Sequence, residues 1–303
     1  MKKILITGAN GLLGHKLVSL LSQQKNVSLL ATAKGICRFF LPDNVVYRTL
    51  DITNANACNN LFNEFQPDAL INAAAMTHVD VCEDEHKACD LINVTGVSNL
   101  IKAIGNRNTH FVHISTDFIY EGDEEEYFED SKVNPLNYYG RSKWKSELLF
   151  EKVSFPYSIL RTVLIYGVLQ DLSRSNIVLW AKAALEKGEK INVVDDQYRC
   201  PTLAEDVASG CLQVIKENAT GVYHVCGKDF LSILDIVFEI ADYWDLDKSL
   251  INSISSVDLN QKAKRPLKTN LNLSKSKQVF NYKPKSFREG LKLLDEQMKK
   301  LKE

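Results

Sequence analysis

Two side chains with complementary acid–base chemistry, Tyr139 and Lys143, lie four residues apart in the chain. Four residues span about one helical turn, so on a helix both side chains point to the same face. The pKa of a phenol is roughly 10, and a neighbouring ammonium group lowers it. Such a pair can give a proton to an alkoxide, or take one from an alcohol, near neutral pH. The same spacing is also common on solvated helix faces, so the rest of the sequence has to show whether this pair is catalytic.

A third hydroxyl group, that of Thr116, follows a run that reads as a buried strand over 111–115. Ligands of doubly wound sheets bind at the carboxyl ends of the strands. At that edge, the hydroxyl of Thr116 can hydrogen-bond a substrate carbonyl and align it with Tyr139. The alternative is a strand-end hydroxyl that caps the local backbone.

A glycine-rich loop near the start of the chain suits the phosphates of a dinucleotide. It lies between a strand predicted over 3–7 and a helix predicted over 12–23. Its first glycine allows a tight turn, its second lets backbone approach a pyrophosphate, and its third lets the helix pack on the strand. Phosphates then meet the free amides of the helix N-terminus. The predicted contacts in this loop are Gly8, Asn10, Gly11, Leu12, Leu13 and Gly14.

The end of the second predicted strand, over 27–32, indicates which dinucleotide binds. NAD sites usually place an acidic residue about 20 positions further on, to hold the ribose 2′-hydroxyl. Residues 1–42 contain no Asp or Glu, and the strand ends in Thr32 and Lys34 with Arg38 close behind. One hydroxyl and two cations favour a 2′-phosphate, so NADP(H) is the favoured cofactor. If the two cations are ordinary loop charges, NAD(H) is the alternative.

The other predicted cofactor contacts lie at later strand ends. Asp51 and Ile52 follow a strand over 45–50 and are placed to frame the adenine. A strand over 68–72 is followed by small residues that leave room for the cofactor. The set is completed by Ala73, Ala74, Ala75 and Ser115, with Tyr139 and Lys143 shared with the catalytic group.

Strands and helices alternate through the first half of the chain. Helices predicted over 54–65 and 85–106 separate strands in a pattern typical of right-handed βαβ units and a parallel sheet. After Pro156 the pattern becomes mixed. We therefore predict a Rossmann-like, doubly wound α/β fold with a smaller mixed α/β substrate-binding region.

The domain boundary that follows places a dinucleotide-binding domain at 1–166 and a substrate-binding region at 167–303. A strand and helix at about 191–216 are expected to pack back onto the first domain. The substrate-binding region should lie over the carboxyl ends of the parallel strands.

Composition restricts the class of protein. The chain has 303 residues, 45% hydrophobic and 25% charged, with a formal net charge of -1. This near-neutral balance argues against nucleic acid or an anionic membrane as partner, and no apolar run reaches the roughly 20 residues that span a bilayer. The seven cysteines are scattered, without metal-ligand spacing, so reduced thiols and no metal site are expected. We predict a cytoplasmic protein, and a homodimer is compatible with the chain.

Several segments, in the order in which they occur, resemble the extended short-chain dehydrogenase/reductase superfamily, and within it the dTDP-4-dehydrorhamnose reductases. The resemblance covers nearly the whole chain. The segments that carry it are 72–75 with Thr77, Asp80 and Glu83; 115–117; 135–143; 160–162; 196–198 with Pro201 and Thr202; 221–224; and Arg265 with Pro266.

The resemblance implies that Tyr139 is the general acid, that Lys143 binds the nicotinamide ribose and lowers the tyrosine pKa, and that Thr116 takes the Ser/Thr position. Hydride would pass from NADP(H) to C4 of a 4-keto-6-deoxy sugar on a nucleoside diphosphate, a small-molecule partner. Arg265 would bind the diphosphate, because Arg suits bidentate phosphate contacts; the alternative is a surface arginine. The implied substrate contacts are Thr77, Asp80, Leu164, Arg199 and Arg265.

Two positions depart from the family's pattern. Leu164 stands where the reductases carry a Trp that stacks on the nucleotide base, a contact worth on the order of 1 kcal/mol. Arg199 replaces a small residue and adds charge near the predicted cleft. The sequence therefore favours the nucleotide-sugar class more firmly than thymidine as the base.

Two other functions stay open. One is an epimerase or dehydratase on the same scaffold, which recycles its hydride through retained NAD. The lack of an acidic residue at the end of the second strand argues against this function, whereas Asp117 beside Thr116 favours it. A non-catalytic NADP-binding regulatory subunit, like that of methionine adenosyltransferase, also resembles this family.

Overall fold

The structure, a computed structural model, describes residues 1–169, 175–259 and 261–301. Its strands, in chain order, are β1 (Lys2–Thr7), β2 (Val27–Ala33), β3 (Val45–Thr49), β4 (Ala69–Asn72), β5 (His110–Thr116), β6 (Tyr157–Thr162), β7 (Ile165–Tyr166), β8 (Ile191–Val194), β9 (Tyr198–Arg199), β10 (Thr202–Leu203), β11 (Gly221–His224), β12 (Leu231–Ser232) and β13 (Ile251–Ile254).

The α-helices are α1 (Leu12–Ser22), α2 (Ala55–Phe65), α3 (Val79–Asp84), α4 (His86–Asp90), α5 (Gly96–Ile104), α6 (Tyr138–Leu148), α7 (Ile177–Glu186), α8 (Ala204–Lys216), α9 (Ile233–Tyr243), α10 (Ser274–Phe280) and α11 (Phe287–Lys300). A π-helical turn, Leu91–Thr95, joins α4 to α5.

Seven parallel strands form the central sheet in the order β11-β6-β5-β4-β1-β2-β3. The chain runs outwards from β1 in one direction and then returns to continue from β4 in the other. That reversal is the switch point at which doubly wound sheets bind ligands. The Rossmann-like α/β prediction is confirmed.

Both faces of this sheet are covered, which explains why its strands read as continuous apolar runs. Ile4 and Ile6 pack into a core that includes residues of α1 and α8, whereas Leu5 between them packs into a core that includes residues of α2 and α5. Alternate side chains of one strand therefore serve two different cores.

A third core lies outside the sheet and joins α7, α9 and α11. The strand at 191–194 belongs to this core, because β8 pairs with β13 in a separate two-stranded sheet. The expectation that this strand packs back onto the nucleotide-binding domain is wrong. The helix after it, α8, does lie against α1, and the boundary at 166 is also crossed by β11, which joins the edge of the central sheet.

Two predicted elements are interrupted at the site. The helix predicted over 85–106 breaks into α4, the π-helical turn and α5, because Asn93 in that turn hydrogen-bonds the backbone of Met76. The strand predicted over 157–165 ends at Thr162, since Leu164 adopts a positive φ of 37°. Neither feature leaves a local pattern in the amino-acid sequence.

All seven cysteines are free thiols, and six of them are buried. Among the described residues, no helix is long and apolar enough to cross a membrane.

Candidate active site

A cavity of about 400 Å³ opens at the carboxyl ends of the central strands. It brings the glycine-rich loop, the end of β5 and one face of α6 onto a common wall. The predicted site residues on this wall are Gly11, Leu12, Leu13, Gly14, Ala73, Ala75, Thr77, Ser115, Thr116, Tyr139, Lys143, Leu164 and Arg199.

Helix α6 presents Tyr139 and Lys143 to the cavity. Its N-cap is Asn137, whose side chain accepts a hydrogen bond from the Gly140 amide at 2.9 Å and donates one to the Lys264 carbonyl at 2.8 Å. The cap fixes where the helix begins, and therefore which face its first turn shows. Gly140 is required here, because a Cβ at that position would meet the backbone of Phe118.

Burial shifts the pKa values of Tyr139 and Lys143 in opposite directions. It raises the pKa of Tyr139, against a hydrogen bond with Thr116 that lowers it. It lowers the pKa of Lys143 to about 8, against the Glu147 carboxylate, which raises it. The phenol therefore holds its proton at neutral pH. Burial is the largest influence on the tyrosine pKa here, and Lys143 Nζ lies 3.3 Å from His113 Nε2. A lowering of that pKa by Lys143 stays a prediction.

Thr116 lies where the sequence predicts it, at the carboxyl end of β5. Its hydroxyl accepts a hydrogen bond from the Phe118 amide at 3.2 Å, and the residue lines the cavity together with Tyr139. Its oxygen also lies 3.2 Å from Asp117 Oδ1. Thr116 therefore caps the local backbone and is also placed on the cavity wall.

The glycine-rich loop has the shape of a phosphate cradle. Gly8 has a φ of 76°, and a Cβ there would lie 2.6 Å from the backbone of Ala73. A Cβ at Gly14 would meet the Gly8 carbonyl, so this helix can begin close to the strand only with glycine. The N-cap of α1 is Gly11, without a side-chain cap. The first amides of α1 are thus open to an anion, which fits a dinucleotide pyrophosphate.

The residues predicted to contact the adenosine end of the cofactor differ in exposure and in their hydrogen-bond partners. Lys34 is 83% exposed and pairs with Asp51 at 3.1 Å, so these two predicted contacts meet at the sheet edge. Asn10 accepts from the Arg38 amide at 3.1 Å and shapes the neighbouring loop. The prediction that the hydroxyl of Thr32 contacts the cofactor is wrong. This hydroxyl donates to the Ile6 carbonyl at 2.8 Å inside the sheet, and Thr32 is fully buried.

Three further predicted residues, Gly8, Ile52 and Ala74, do not line the cavity. Gly8 and Ala74 meet at the tight approach of the loop to β4, where a Cβ on Gly8 would lie 2.6 Å from the Ala74 nitrogen. Ile52 is buried and faces Gly96 on α5. These positions shape the backbone of the nucleotide site.

A buried ion pair forms the substrate side of the wall. Arg199 and Asp117 are 3% and 2% exposed, with Arg199 Nε 3.8 Å from Asp117 Oδ2. The same carboxylate oxygen accepts from the Thr269 hydroxyl at 2.6 Å. Arg199 also donates to the carbonyls of Pro266 at 2.6 Å and Tyr198 at 2.7 Å. Its charge is therefore directed mainly at protein groups.

The predicted substrate contacts Asp80 and Arg265 bind each other. Arg265 donates to Asp80 Oδ2 at 2.7 Å, and Asp80 Oδ1 accepts from the Ala263 amide at 3.1 Å. Neither residue lines the cavity as described. In this arrangement the arginine fastens the segment around 263–266 to α3, so its role as a diphosphate ligand stays a prediction.

Sequence reasoning missed several buried polar residues beneath the wall. His113 contacts Lys143, and Asn93 donates to the hydroxyl of Ser142 at 2.9 Å. Glu147 accepts from Ser115 and forms an ion pair with Arg161 at 2.7 Å. The signal that could have found them is their polarity in otherwise apolar elements.

Comparison with known proteins adds to this geometry. A family model described as the RmlD substrate binding domain matches residues 1–300. The dTDP-4-dehydrorhamnose reductase of Aggregatibacter actinomycetemcomitans is 32% identical, over 96% of this chain and 98% of that protein. Methionine adenosyltransferase 2 subunit beta of Xenopus tropicalis is 27% identical, over 96% of this chain and 86% of that protein.

Two solved structures are similar over almost their full length. A dTDP-4-dehydrorhamnose reductase from Clostridium acetobutylicum superposes with a TM-score of 0.86 and 31% identity, covering 98% of this chain and 99% of that one. Another, from Bacillus anthracis in complex with NADP, superposes with a TM-score of 0.85 and 27% identity, covering 98% and 100%. The family resemblance inferred from the sequence is confirmed.

Proposed function

The chain belongs to the family described as the RmlD substrate binding domain, and from this we propose that it is an NADP(H)-preferring oxidoreductase. Its substrate is a nucleotide-linked deoxysugar, whose 4-keto group it reduces, in the manner of a dTDP-4-dehydrorhamnose reductase. One observation carries the proposal: Thr116, Tyr139 and Lys143 line the same cavity as the glycine-rich loop.

The residues present fit a dinucleotide. The amides at the start of α1 would hold its pyrophosphate, and Lys143 on α6 would bind its nicotinamide ribose. Support for NADP(H) comes from the two exposed cations Lys34 and Arg38, from the absence of an acidic residue in 1–42, and from the related structure bound to NADP. When bound, the reduced cofactor supplies hydride.

The protein's own groups supply the proton. The hydroxyls of Thr116 and Tyr139 would both hydrogen-bond the substrate carbonyl oxygen. As hydride adds to the carbonyl carbon, the proton moves from Tyr139 Oη to that oxygen, which gives a secondary alcohol. The tyrosinate left behind is stabilised by the positive charge of Lys143 and is reprotonated from solvent.

The substrate test is the oxidation of NADPH in the presence of nucleotide-linked 4-keto-6-deoxy sugars with different bases, followed by NADPH absorbance. We expect Tyr139→Phe to lower kcat by on the order of 10²- to 10⁴-fold while NADPH still binds. Tyr138→Phe is the matched control, because the hydroxyl of Tyr138 bonds to Asp90 away from the cavity. Unchanged kcat in Tyr139→Phe would show that Tyr139 is not the acid.

The cofactor test compares NADPH with NADH. We expect a lower KM for NADPH, with the difference reduced in Lys34→Ala and Arg38→Ala. A clear preference for NADH contradicts the assignment. Oxidised cofactor that stays bound in stoichiometric amount through purification would instead indicate an epimerase or dehydratase.

A second candidate is a non-catalytic regulatory subunit. The likeness to methionine adenosyltransferase 2 subunit beta favours it, and an intact pair of Tyr139 and Lys143 does not distinguish the two. Binding of NADPH without turnover of any keto sugar, together with co-purification of an unrelated enzyme, is the outcome that selects this candidate.

We further propose a cytoplasmic location, which the seven unpaired cysteines support, since thiols persist in reducing compartments. A homodimer stays a prediction, and light scattering of the purified protein tests it.

A further inference from the structure

A directional chain of hydrogen bonds crosses the three central strands beneath the site. Thr7, Asn72 and His113 are register partners on β1, β4 and β5. The Thr7 hydroxyl donates to Asn72 Oδ1 at 2.5 Å, and the side-chain amide of Asn72 lies 3.2 Å from His113 Nδ1. His113 Nε2 lies 3.0 Å from the hydroxyl of Ser146.

Backbone groups fix the direction of this series of hydrogen bonds at both ends. The Ala74 amide donates to Asn72 Oδ1 at 3.3 Å, so that atom is the oxygen and the other atom is the NH₂ group. The NH₂ group then donates to His113 Nδ1, which must be unprotonated. At the other end, the Ser146 hydroxyl donates its only hydrogen to the Lys143 carbonyl at 2.7 Å.

His113 is therefore held as the neutral tautomer with its proton on Nε2, which donates to Ser146. Burial supports neutrality, because it lowers the pKa of His113 well below its usual value. The consequence falls on Lys143, whose Nζ lies 3.3 Å from the same Nε2. Two donors therefore face each other, and among the described residues no other atom is within hydrogen-bond contact of Lys143 Nζ.

We propose that His113 is a positioning residue that withholds a hydrogen-bond acceptor from Lys143, so that Lys143 takes up its full proton only when NADP(H) supplies one. Ribose hydroxyls and phosphates are rich in acceptor oxygens, and the cavity wall presents Lys143 to them. Cofactor binding is then coupled to proton uptake. This inference rests on the proposed NADP(H) site.

The charged and titratable groups around Lys143 define the test. Glu147 on α6 is engaged by Arg161 and Ser115. A hydrogen bond from Cys82 lowers the pKa of Cys89 to about 7, and burial raises the pKa of Tyr139. At pH 9 a phosphate with a pKa of about 6 has already titrated, and the variant Cys89→Ser tests whether that thiol contributes. Lys143, with a pKa of about 8, is by contrast mostly neutral.

The experiment is calorimetric titration of the protein with NADPH at pH 9, in buffers of different ionisation enthalpy. We expect an uptake of close to one proton per NADPH bound. Because only the charged lysine binds well, the Kd should be flat below pH 8 and should rise by up to tenfold per pH unit above it.

Variants identify the group that takes up the proton. His113→Glu places a carboxylate oxygen within reach of Lys143 whichever way the side chain turns, so uptake should fall below half a proton while NADPH still binds. His110→Glu is the matched control, at a second buried histidine on β5 that bonds to Ser158, and it should leave uptake unchanged. Cys89→Ser should also leave it unchanged, whereas Lys143→Met should abolish it.

The outcomes separate the two proposals. Tight NADPH binding without proton uptake at pH 9, or uptake that persists in Lys143→Met, overturns the coupling and leaves the reductase assignment standing. Uptake in His113→Glu equal to that of the parent overturns the role of His113. Failure of the parent protein to bind NADPH at all overturns the proposed function itself.

Discussion

At the scale of single residues, the site depends on polar side chains that are taken out of water and matched to one another. Asp117 and Arg199 form the most buried ion pair on the cavity wall. Burial raises the pKa of Asp117 and lowers that of Arg199, which shows that each charge depends on its partner. A buried pair adds little stability by itself, but removal of one partner leaves an uncompensated charge.

Arg199→Met should therefore destabilise the fold by about 3–5 kcal/mol, because Asp117 stays buried without its counter-charge. The measurement is the free energy of unfolding in urea. Asp117→Asn combined with Arg199→Met should recover part of the loss. Arg48→Met, at an exposed pair with Glu64, is the control and should have no measurable effect. A loss within error for Arg199→Met contradicts the importance of the pair.

At the scale of elements, the turn from β1 to α1 sets how closely the nucleotide can approach. Gly8 combines a positive φ with a tight contact to the backbone between β4 and α3, so it meets two separate requirements for glycine. Gly188, after α7, has a similar φ of 72° but no atom within 4 Å of a would-be Cβ.

The two glycines give a matched pair of substitutions. Gly188→Ala should cost about 1 kcal/mol, from backbone strain alone. Gly8→Ala should cost roughly 1–3 kcal/mol more, because of the added steric clash, and should weaken NADPH binding at least tenfold. Urea unfolding and calorimetric titration measure the two effects. Equal losses of stability would falsify the claim that close approach to Ala73 constrains this loop.

Local patterns in the sequence predict the elements of the central sheet but not the contacts between distant segments. Apolar runs and glycine spacing place β1, α1 and the cavity. The pairing of β8 with β13 joins short, partly polar strands about sixty residues apart, and no local pattern reveals it. His113 is missed for a similar reason, because its partner Asn72 is defined by strand register. Tyr139 and Lys143 are found because both lie on one helical turn.

At the scale of the whole molecule, buried neutral histidines link stability to pH. Burial lowers the pKa of His110 to about 4 and that of His224 to about 3, and it lowers that of His113 well below its usual value. Each folded pKa lies below the unfolded value of about 6.5. The unfolded chain then binds more protons as the pH falls, so acid favours unfolding.

We expect the free energy of unfolding to fall between pH 6.5 and pH 4, by up to about 1.4 kcal/mol per pH unit for each histidine. Urea unfolding at a series of pH values measures it. His224→Gln should reduce the slope by about a third. A free energy that stays constant between pH 6.5 and pH 5 contradicts the expectation.

The position of β11 at the sheet edge has a consequence for how the chain folds during synthesis. The strand beside it, β6, ends at Thr162, but its outer neighbour begins only at Gly221, after α7 and α8. While the ribosome makes the intervening residues, the nascent sheet carries an unpaired edge of buried character, the kind of edge that templates aggregation. We therefore expect the nascent chain to be prone to aggregation until residue 224 has emerged.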